Sequence, residues 1–384
     1  MQFEFATSGR IIFGGGALQR AGELLGDFGS RILVVGGKDA SRSKPLIEQL
    51  DKLGIELLEF RVTGEPTVDL IDRGVRLARS SGITGVIGFG GGSVIDSAKA
   101  IAGLTLNRGE ITDYLEVIGK AQPLKTPALP LCAIPTTAGT GAEVTKNAVL
   151  GSPEHRVKVS LRSPTLLPRV VLIDPETTVP LPPAVTASTG LDTLTQLIEP
   201  YVSIRANPIT DGFCLSGIPR VARGLFRAFS DGHDRSARGD MSLASLFGGM
   251  ALANAGLGAV HGFAAPIGGM FDAPHGAVCA ALLPSVMEMN IQALRRRMPD
   301  SEALRRYDAL GPLLSTRATA KADDAVKWVR DLCRMLNVPR LGAFGIRSDQ
   351  VSTLVEEAQR ANSMKANPIS LEPDELAEIL RAAL

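Results

Sequence analysis

Two stretches of this chain carry residue types suited to holding a phosphorylated ligand. The first is Phe89-Gly-Gly-Gly-Ser-Val-Ile-Asp-Ser-Ala-Lys99. Gly90, Gly91 and Gly92 remove side chains, so that backbone can approach a phosphate closely. A helix starting there presents free N–H groups and a partial positive charge to an anion. Ser93 is placed to cap that helix and to donate a hydrogen bond. The plainer reading is a tight strand-to-helix turn that needs positive φ, but the position between an apolar strand and a helix favours the phosphate. The stretch is not the GxGxxG fingerprint, and it follows the third strand of the pattern rather than the first. The second stretch is Ile134-Pro-Thr-Thr-Ala-Gly-Thr-Gly-Ala-Glu-Val-Thr145. Thr136, Thr137 and Thr140 offer hydroxyls to a ribose, a pyrophosphate or a carboxamide, and Gly139 and Gly141 permit close approach. Taken alone, a Thr-rich loop that caps the next helix is the simpler account.

The elements that must position these residues follow from periodicity. Ile32 to Val35, Glu56 to Phe60 and Gly85 to Phe89 read as strands. Lys44 to Leu53, Val68 to Ser80 and a segment from Ser93 read as helices. Residues 130–135 and 169–173 add strands. Such alternation predicts a parallel, doubly wound sheet. After Asp174 the segment 175–183 is proline-rich, as in a linker. Beyond it nearly everything reads as helix: 184–202, 207–229, 238–255, 258–269, 275–294, 301–312, 321–336, 347–361 and 372–383. The expected division is an α/β dinucleotide-binding domain over 1–180 and a helical metal and substrate domain over 181–384.

Bulk properties exclude several classes. The chain has 384 residues, 45% hydrophobic and 21% charged, with a net charge of +1, so no excess of positive charge argues for nucleic acid or an anionic membrane. Cys132, Cys214, Cys279 and Cys333 are scattered and form no CxxC pair. The opening MQFEFATSGR lacks the basic and apolar regions of a signal peptide. Apolar stretches are interrupted too soon for a membrane span. A cytoplasmic enzyme is expected.

Taken together, the two loop segments closely resemble signature segments of the iron-containing (group III) alcohol dehydrogenases. The similarity continues through Lys158, Leu172-Ile-Asp-Pro-Glu176, Thr189-Gly-Leu-Asp192, Gly256-Leu-Gly-Ala-Val-His261, Pro274-His-Gly276 and Leu282-Leu283-Pro284. Order and spacing hold from about residue 10 to the end. The resemblance implies a Rossmann-like N-terminal domain, a helical C-terminal domain as in the dehydroquinate synthase-like architecture, and an active cleft between them. It places Gly91, Gly92, Ser93, Asp96, Thr136, Thr137 and Lys158 at the dinucleotide. A solvated surface residue is the ordinary state of a lone lysine such as Lys158.

The resemblance also implies a divalent metal held by one Asp and three His. Asp192 matches the first ligand. The second position, four residues on and on the same helical face, is Gln196 instead of His. His261 and His275 match the others. A further family histidine near the nicotinamide is Ala265 here. Two alternatives stand. In one, Asp192, His261 and His275, with Gln196 or water, hold Fe²⁺ or Zn²⁺. In the other the metal is lost, and His275, His261 and Gln196 bond the substrate oxygen directly. His155 and His233 lie in polar loops and are expected to be exposed. Phe263, Met270 and Phe271 are candidates to line a pocket, although such residues more often belong to a core.

After the first strand of the pattern, NAD-preferring relatives tend to carry an acidic residue. The aligned position is Gly37, while Lys38, Ser41 and Arg42 suit a 2′-phosphate and Asp39 suits ribose hydroxyls. The cofactor expectation is therefore NAD(P), leaning to NADP.

The implied function is hydride transfer between NAD(P)(H) and an alcohol or carbonyl. The alternatives are a metal-independent keto-acid reductase resembling maleylacetate reductases, a lyase of the dehydroquinate-synthase type, and a non-catalytic dinucleotide-binding protein. Relatives commonly dimerise, and residues 3–13 suit either an edge strand pairing between subunits or an intrachain hairpin.

Overall fold

A computed structural model of the protein describes residues 2–384. In chain order its elements are β1 (Arg10–Phe13), α1 (Ala21–Leu25), β2 (Arg31–Gly36), α2 (Lys44–Asp51), β3 (Glu56–Arg61), α3 (Val68–Ser80), β4 (Gly85–Gly90), α4 (Gly92–Thr105), β5 (Leu131–Pro135), β6 (Asn147–Ser152), β7 (Val157–Arg162) and β8 (Val170–Ile173). Helices follow: α5 (Pro183–Val202), α6 (Pro208–Ser230), α7 (Arg235–Ala255), α8 (Ala259–Met270), α9 (His275–Arg297), α10 (Glu302–Ser315), α11 (Ala322–Met335), α12 (Val351–Arg360) and α13 (Pro373–Ala383). Two compact units result. One comprises Ala6–Thr137 and Gly141–Val179; the other comprises residues 2–5, Ala138–Thr140 and Pro180–Leu384.

The first unit is built on a six-stranded sheet of order β1-β8-β5-β4-β2-β3, and every pairing in it is parallel. Parallel strands are covered on both faces, so they read as continuous apolar runs. Successive residues of β2 show this directly. Leu33 and Val35 join a core with α3 and α4, while Ile32 and Val34 join another with α1 and α2. From β2 the chain steps outward to β3, then returns past β2 to β4. The carboxyl ends of β2 and β4 therefore flank the point where strand order reverses, which is where open α/β sheets bind ligands.

An antiparallel hairpin, β6–β7, also belongs to this unit. It was missed in the pattern reading, although Val157-Lys-Val-Ser-Leu161 alternates as a half-buried strand should. Of the two expectations for residues 3–13, the intrachain hairpin is corrected, while β1 does stand at the edge of the sheet. Only Arg10–Phe13 is a strand, and it pairs in parallel with β8 inside the chain, so no hairpin forms there. Phe5 belongs to the helical unit, its ring 5.9 Å from that of Phe213, which lies 5.6 Å from Phe247.

The helical unit contains α5 to α13. At its centre α5 is buried along all of residues 190–202, packed by α6, α7 and α9. Helix α9 is long and apolar enough to cross a membrane by length and composition, but 78% of its apolar window is buried within the protein. Each helix expected from periodicity is present, with ends displaced by a few residues at most.

Candidate active site

In the first unit, β4 ends at Gly90 and α4 begins at Gly92, with Gly91 in extended backbone (φ −76°). None of the three glycines has positive φ, so the tight-turn explanation fails and space is what they provide. A Cβ on Gly90 would fall 2.6 Å from the Val94 side chain, and one on Gly91 would fall 3.2 Å from Thr137 Cγ2. Thr136 N–H donates to Gly90 O at 2.9 Å. The Thr136–Thr137 backbone therefore lies directly beside the glycine turn. Helical bonding starts with Val94 and Ile95, both donating to Gly91 O, so the N–H groups of Gly92 and Ser93 lie ahead of the ladder. Ser93 is not the cap expected of it: the cap position is Gly91 and no side chain caps the helix.

The other loop residues have defined partners. Asp96 accepts from Val149 N–H at 3.2 Å, which ties α4 to the hairpin. Lys158 is not a solvated lysine: its side chain is 12% exposed and pairs with Glu65 at 3.2 Å. At the end of β2, Gly37 has open space where a Cβ would be. Lys38 is exposed. Asp39 accepts from both the N–H and the hydroxyl of Ser41, so these two groups are spent on each other in a short turn. Arg42 donates to Thr177 O at 2.6 Å. Arg61, at the end of β3, reaches Gly37 O and Ser43 Oγ at 3.4 Å. This third cation was invisible in the pattern, because only strand pairing puts residue 61 beside residue 36.

Lys99 was also missed. Its ammonium is fully buried and donates to Ala142 O, to Thr145 O and Oγ1 (both 2.7 Å), and to Asn147 O (3.0 Å). It pins the segment that leads from the threonines into β6. Burial pushes its pKa down to about 8, against the pull of Asp96 and Glu143. Burial likewise pushes Glu143 up to about 7, with Lys99 opposing.

In the helical unit, Asp192 and Gln196 lie one turn apart on α5, His261 is on α8 and His275 opens α9. Helix spacing also brings in Cys279, one turn after His275. Asp192, His261, His275 and Cys279 offer ligand atoms that all lie within 4.8 Å of one another. His261 Nε2 and His275 Nε2 stand 3.4 and 3.8 Å from Asp192 Oδ1. Cys279 Sγ is 3.9 Å from His261 Nε2 and 3.7 Å from His275 Nε2. Gly276 permits this closeness, since a Cβ there would fall 2.5 Å from Ser188 O on α5.

Around this group the supports are specific. Glu199, on α5, accepts from Val260 N–H at 2.7 Å and holds His261 Nδ1 at 2.7 Å. That bond turns Nε2 toward Asp192. Gln196 donates its amide N–H to Asp192 Oδ2 at 3.0 Å. Its amide nitrogen thus faces the carboxylate, while its Oε1 is buried without a hydrogen-bond partner. Asp192 Oδ1 is buried without a donor in hydrogen-bonding geometry. An orphaned carboxylate oxygen among imidazoles and a thiol fits a divalent cation.

Charge at the group is shared. The Cys279 sulfur raises the His275 pKa first, against burial. For His261 burial works downward, but Cys279, Asp192 and Glu199 together carry it well above the ordinary value. Burial works to raise Asp192, and the neighbouring imidazoles hold it below the usual range.

Three members of the group are buried, whereas the His275 side chain is 34% exposed. Ala265 is exposed on α8, as are His155 and His233 in their loops. Phe263 is fully buried core, Phe271 packs against that core and Met270 is exposed.

Comparison with known proteins follows the same division of the chain. A family model described as iron-containing alcohol dehydrogenase matches residues 8–175. The model of the Fe-containing alcohol dehydrogenase C-terminal family matches residues 186–384. Alcohol dehydrogenase 4 of Saccharomyces cerevisiae is 34% identical over 377 residues, covering 97% of this chain and 96% of the yeast protein. A crystal structure of 1,3-propanediol oxidoreductase superposes with a TM-score of 0.92 at 30% identity, covering both chains completely. Sulfoacetaldehyde reductase of Bifidobacterium kashiwanohense, solved in complex with NAD+, superposes with a TM-score of 0.87 at 27% identity, covering 100% of this chain and 99% of that one.

Proposed function

Because the chain belongs to the iron-containing alcohol dehydrogenase family, we propose that it is an NAD(P)(H)-dependent alcohol dehydrogenase or carbonyl reductase whose dinucleotide rests on the Gly91 turn and whose substrate oxygen meets the Asp192–His261–His275 group. Members of the family are oxidoreductases that act on alcohols with NAD(H) and a divalent metal. The observation that carries the reading is the orphaned Asp192 Oδ1 facing two imidazole nitrogens.

When bound, the dinucleotide supplies or accepts the hydride and the metal polarises the substrate oxygen as a Lewis acid. The chain's own residues do the rest. Asp192, His261 and His275 would hold the cation, and Glu199 and Gln196 bond the ligands His261 and Asp192 from behind. The exposed flank of His275 is where substrate and a proton-carrying water reach the group. Ala265 offers no second imidazole for a relay. Gly91, Gly92 and Ser93 receive phosphate on backbone N–H groups, with Thr136 and Thr137 alongside. Asp96 and Lys158 hold the hairpin that borders them.

Within NAD(P), the finer reading is NADP. It is supported by Arg61, beside Gly37 at the end of β3 though paired with Glu59, by Arg42 and the exposed Lys38 in the stretch after β2, and by the side-chain-free Gly37.

The test is oxidation of NADPH and NADH with a panel of aldehydes, ketones and keto acids. We expect turnover, with a lower KM for NADPH. Asp192→Ala and His275→Ala are each expected to lower kcat/KM at least about a hundredfold, equivalent to about 2.7 kcal/mol of barrier. Intact turnover in both variants sinks the site assignment.

A further inference from the structure

We propose that Cys279 is a metal ligand. Its thiolate replaces the imidazole that the family places where this chain has Gln196, so the centre is Asp192–His261–His275–Cys279 and its native ion is Zn²⁺. The inference rests on reading Asp192, His261 and His275 as the metal-holding group.

Geometry is the first argument. Ligands bound tetrahedrally at zinc distances of about 2.0–2.3 Å lie roughly 3.3–3.8 Å from one another. The Asp192 Oδ1–His261 Nε2 and Asp192 Oδ1–His275 Nε2 separations are 3.4 and 3.8 Å. The separations of Cys279 Sγ from His275 Nε2 and His261 Nε2 are 3.7 and 3.9 Å. The two Asp192 separations are long for charge-assisted hydrogen bonds, the two sulfur separations are within hydrogen-bond length for sulfur, and all four are close to the edges of a coordination tetrahedron. The sulfur thus stands at a ligand position on its own account.

The second argument is what Gln196 does instead. Its amide N–H binds Asp192 Oδ2, which leaves Oδ1 as the only oxygen of that carboxylate aimed at the imidazoles. Gln196 acts as a positioning residue behind a ligand, as Glu199 does behind His261. In this reading Gln196, one turn after Asp192 on α5, supports that ligand through its amide N–H, and the fourth donor comes from Cys279, one turn into α9.

Ligand chemistry then selects the ion. Thiolate is a soft donor, and a site of thiolate, imidazole and carboxylate suits Zn²⁺ better than a site of imidazole and carboxylate alone. Two anionic ligands also neutralise a divalent charge that Asp and three His would leave partly uncompensated. The metal is then a weaker Lewis acid, and the preferred substrates are the more electrophilic carbonyls. The exposed side of His275 is where a substrate oxygen would approach the group.

The experiment is to strip the protein by chelation and reload it with Co²⁺ or Zn²⁺. Thiolate ligation gives Co²⁺ an intense near-ultraviolet charge-transfer band, and zinc-edge X-ray absorption then requires one sulfur at about 2.3 Å. We expect both signatures in the wild type. Cys279→Ser is expected to lose them and to bind Zn²⁺ at least tenfold more weakly. The Cys279→Ser/Gln196→His double variant is expected to recover affinity without the sulfur band. Should Cys279→Ser fail to fold by circular dichroism, the wild-type spectra decide alone. Co²⁺ bound without the band, Zn²⁺ affinity unchanged in a folded Cys279→Ser, or no metal uptake by the wild type overturns the assignment. Turnover of NAD(P)H is measured separately. Turnover without sulfur ligation defeats only this proposal, and sulfur ligation without turnover defeats only the proposed activity.

Discussion

Glu199 holds His261 from behind: its Oε2 lies 2.7 Å from His261 Nδ1, while its Oε1 accepts from Val260 N–H at the same distance. One carboxylate on α5 thereby sets both the start of α8 and the orientation of the ring it carries. Outer partners of this kind are worth about 10–100-fold in metal affinity. Glu199→Gln keeps the shape and loses the charge. We expect Zn²⁺ affinity to fall about 10–100-fold, measured by competition against a chromogenic chelator, with little change in dinucleotide affinity. Unchanged metal affinity would show that Glu199 serves only to anchor α8.

Gly91→Ala tests the phosphate turn. The backbone of Gly91 is open to any residue (φ −76°), so the variant should fold with a stability loss of no more than about 1 kcal/mol. Its methyl group would lie 3.2 Å from Thr137 Cγ2, in the space the phosphate is expected to need. Dinucleotide Kd, measured by calorimetry, should rise at least about tenfold, or about 1.4 kcal/mol. A Kd equal to the wild type's would move the phosphate elsewhere.

Lys99→Met removes a buried donor from four oxygen acceptors. Orphaned acceptors cost about 1–3 kcal/mol each, partly offset by no longer burying a charge. The expected net loss is about 2–4 kcal/mol in denaturant unfolding. The segment 142–147 should also exchange its amide hydrogens faster. Stability within about 0.5 kcal/mol of wild type would mean that the ammonium contributes nothing net to the fold.

Glu143 supplies a pH test. Its pKa is raised by burial to about 7 from 4.5, so between those values the folded protein binds the proton that the unfolded chain has released. Its contribution to stability is therefore complete below pH 4.5 and is lost as pH rises through 7. Glu143→Gln deletes that dependence. The variant should gain on the wild type from pH 5 to about pH 7 and level off above it in parallel unfolding titrations. A constant difference across the range would place an ordinary carboxylate there.

Much of this arrangement was legible in the residue order. Apolar runs such as Ile32 to Val35 imply a buried parallel strand because both faces are covered. The 3.6-residue period of the C-terminal half implies its helices. Glycines between strand and helix imply a place where backbone is approached closely, and Asp192, His261 and His275 are recognised by motif and spacing. These are local signals, or signals shared along a whole family, and they survive without knowledge of what lies opposite.

What the tertiary structure alone decided is pairing across the sequence. Arg61 joins Gly37 because β2 and β3 are in register, and Lys99 meets residues 142–147 because α4 packs beside the hairpin. Glu199 reaches residues 260 and 261 because α5 runs past the start of α8. Cys279 is an undistinguished apolar-helix cysteine in the sequence. It becomes part of the site only because α9 meets α5 at Gly276, where the absence of a side chain brings the two backbones close enough for sulfur, imidazole and carboxylate to converge.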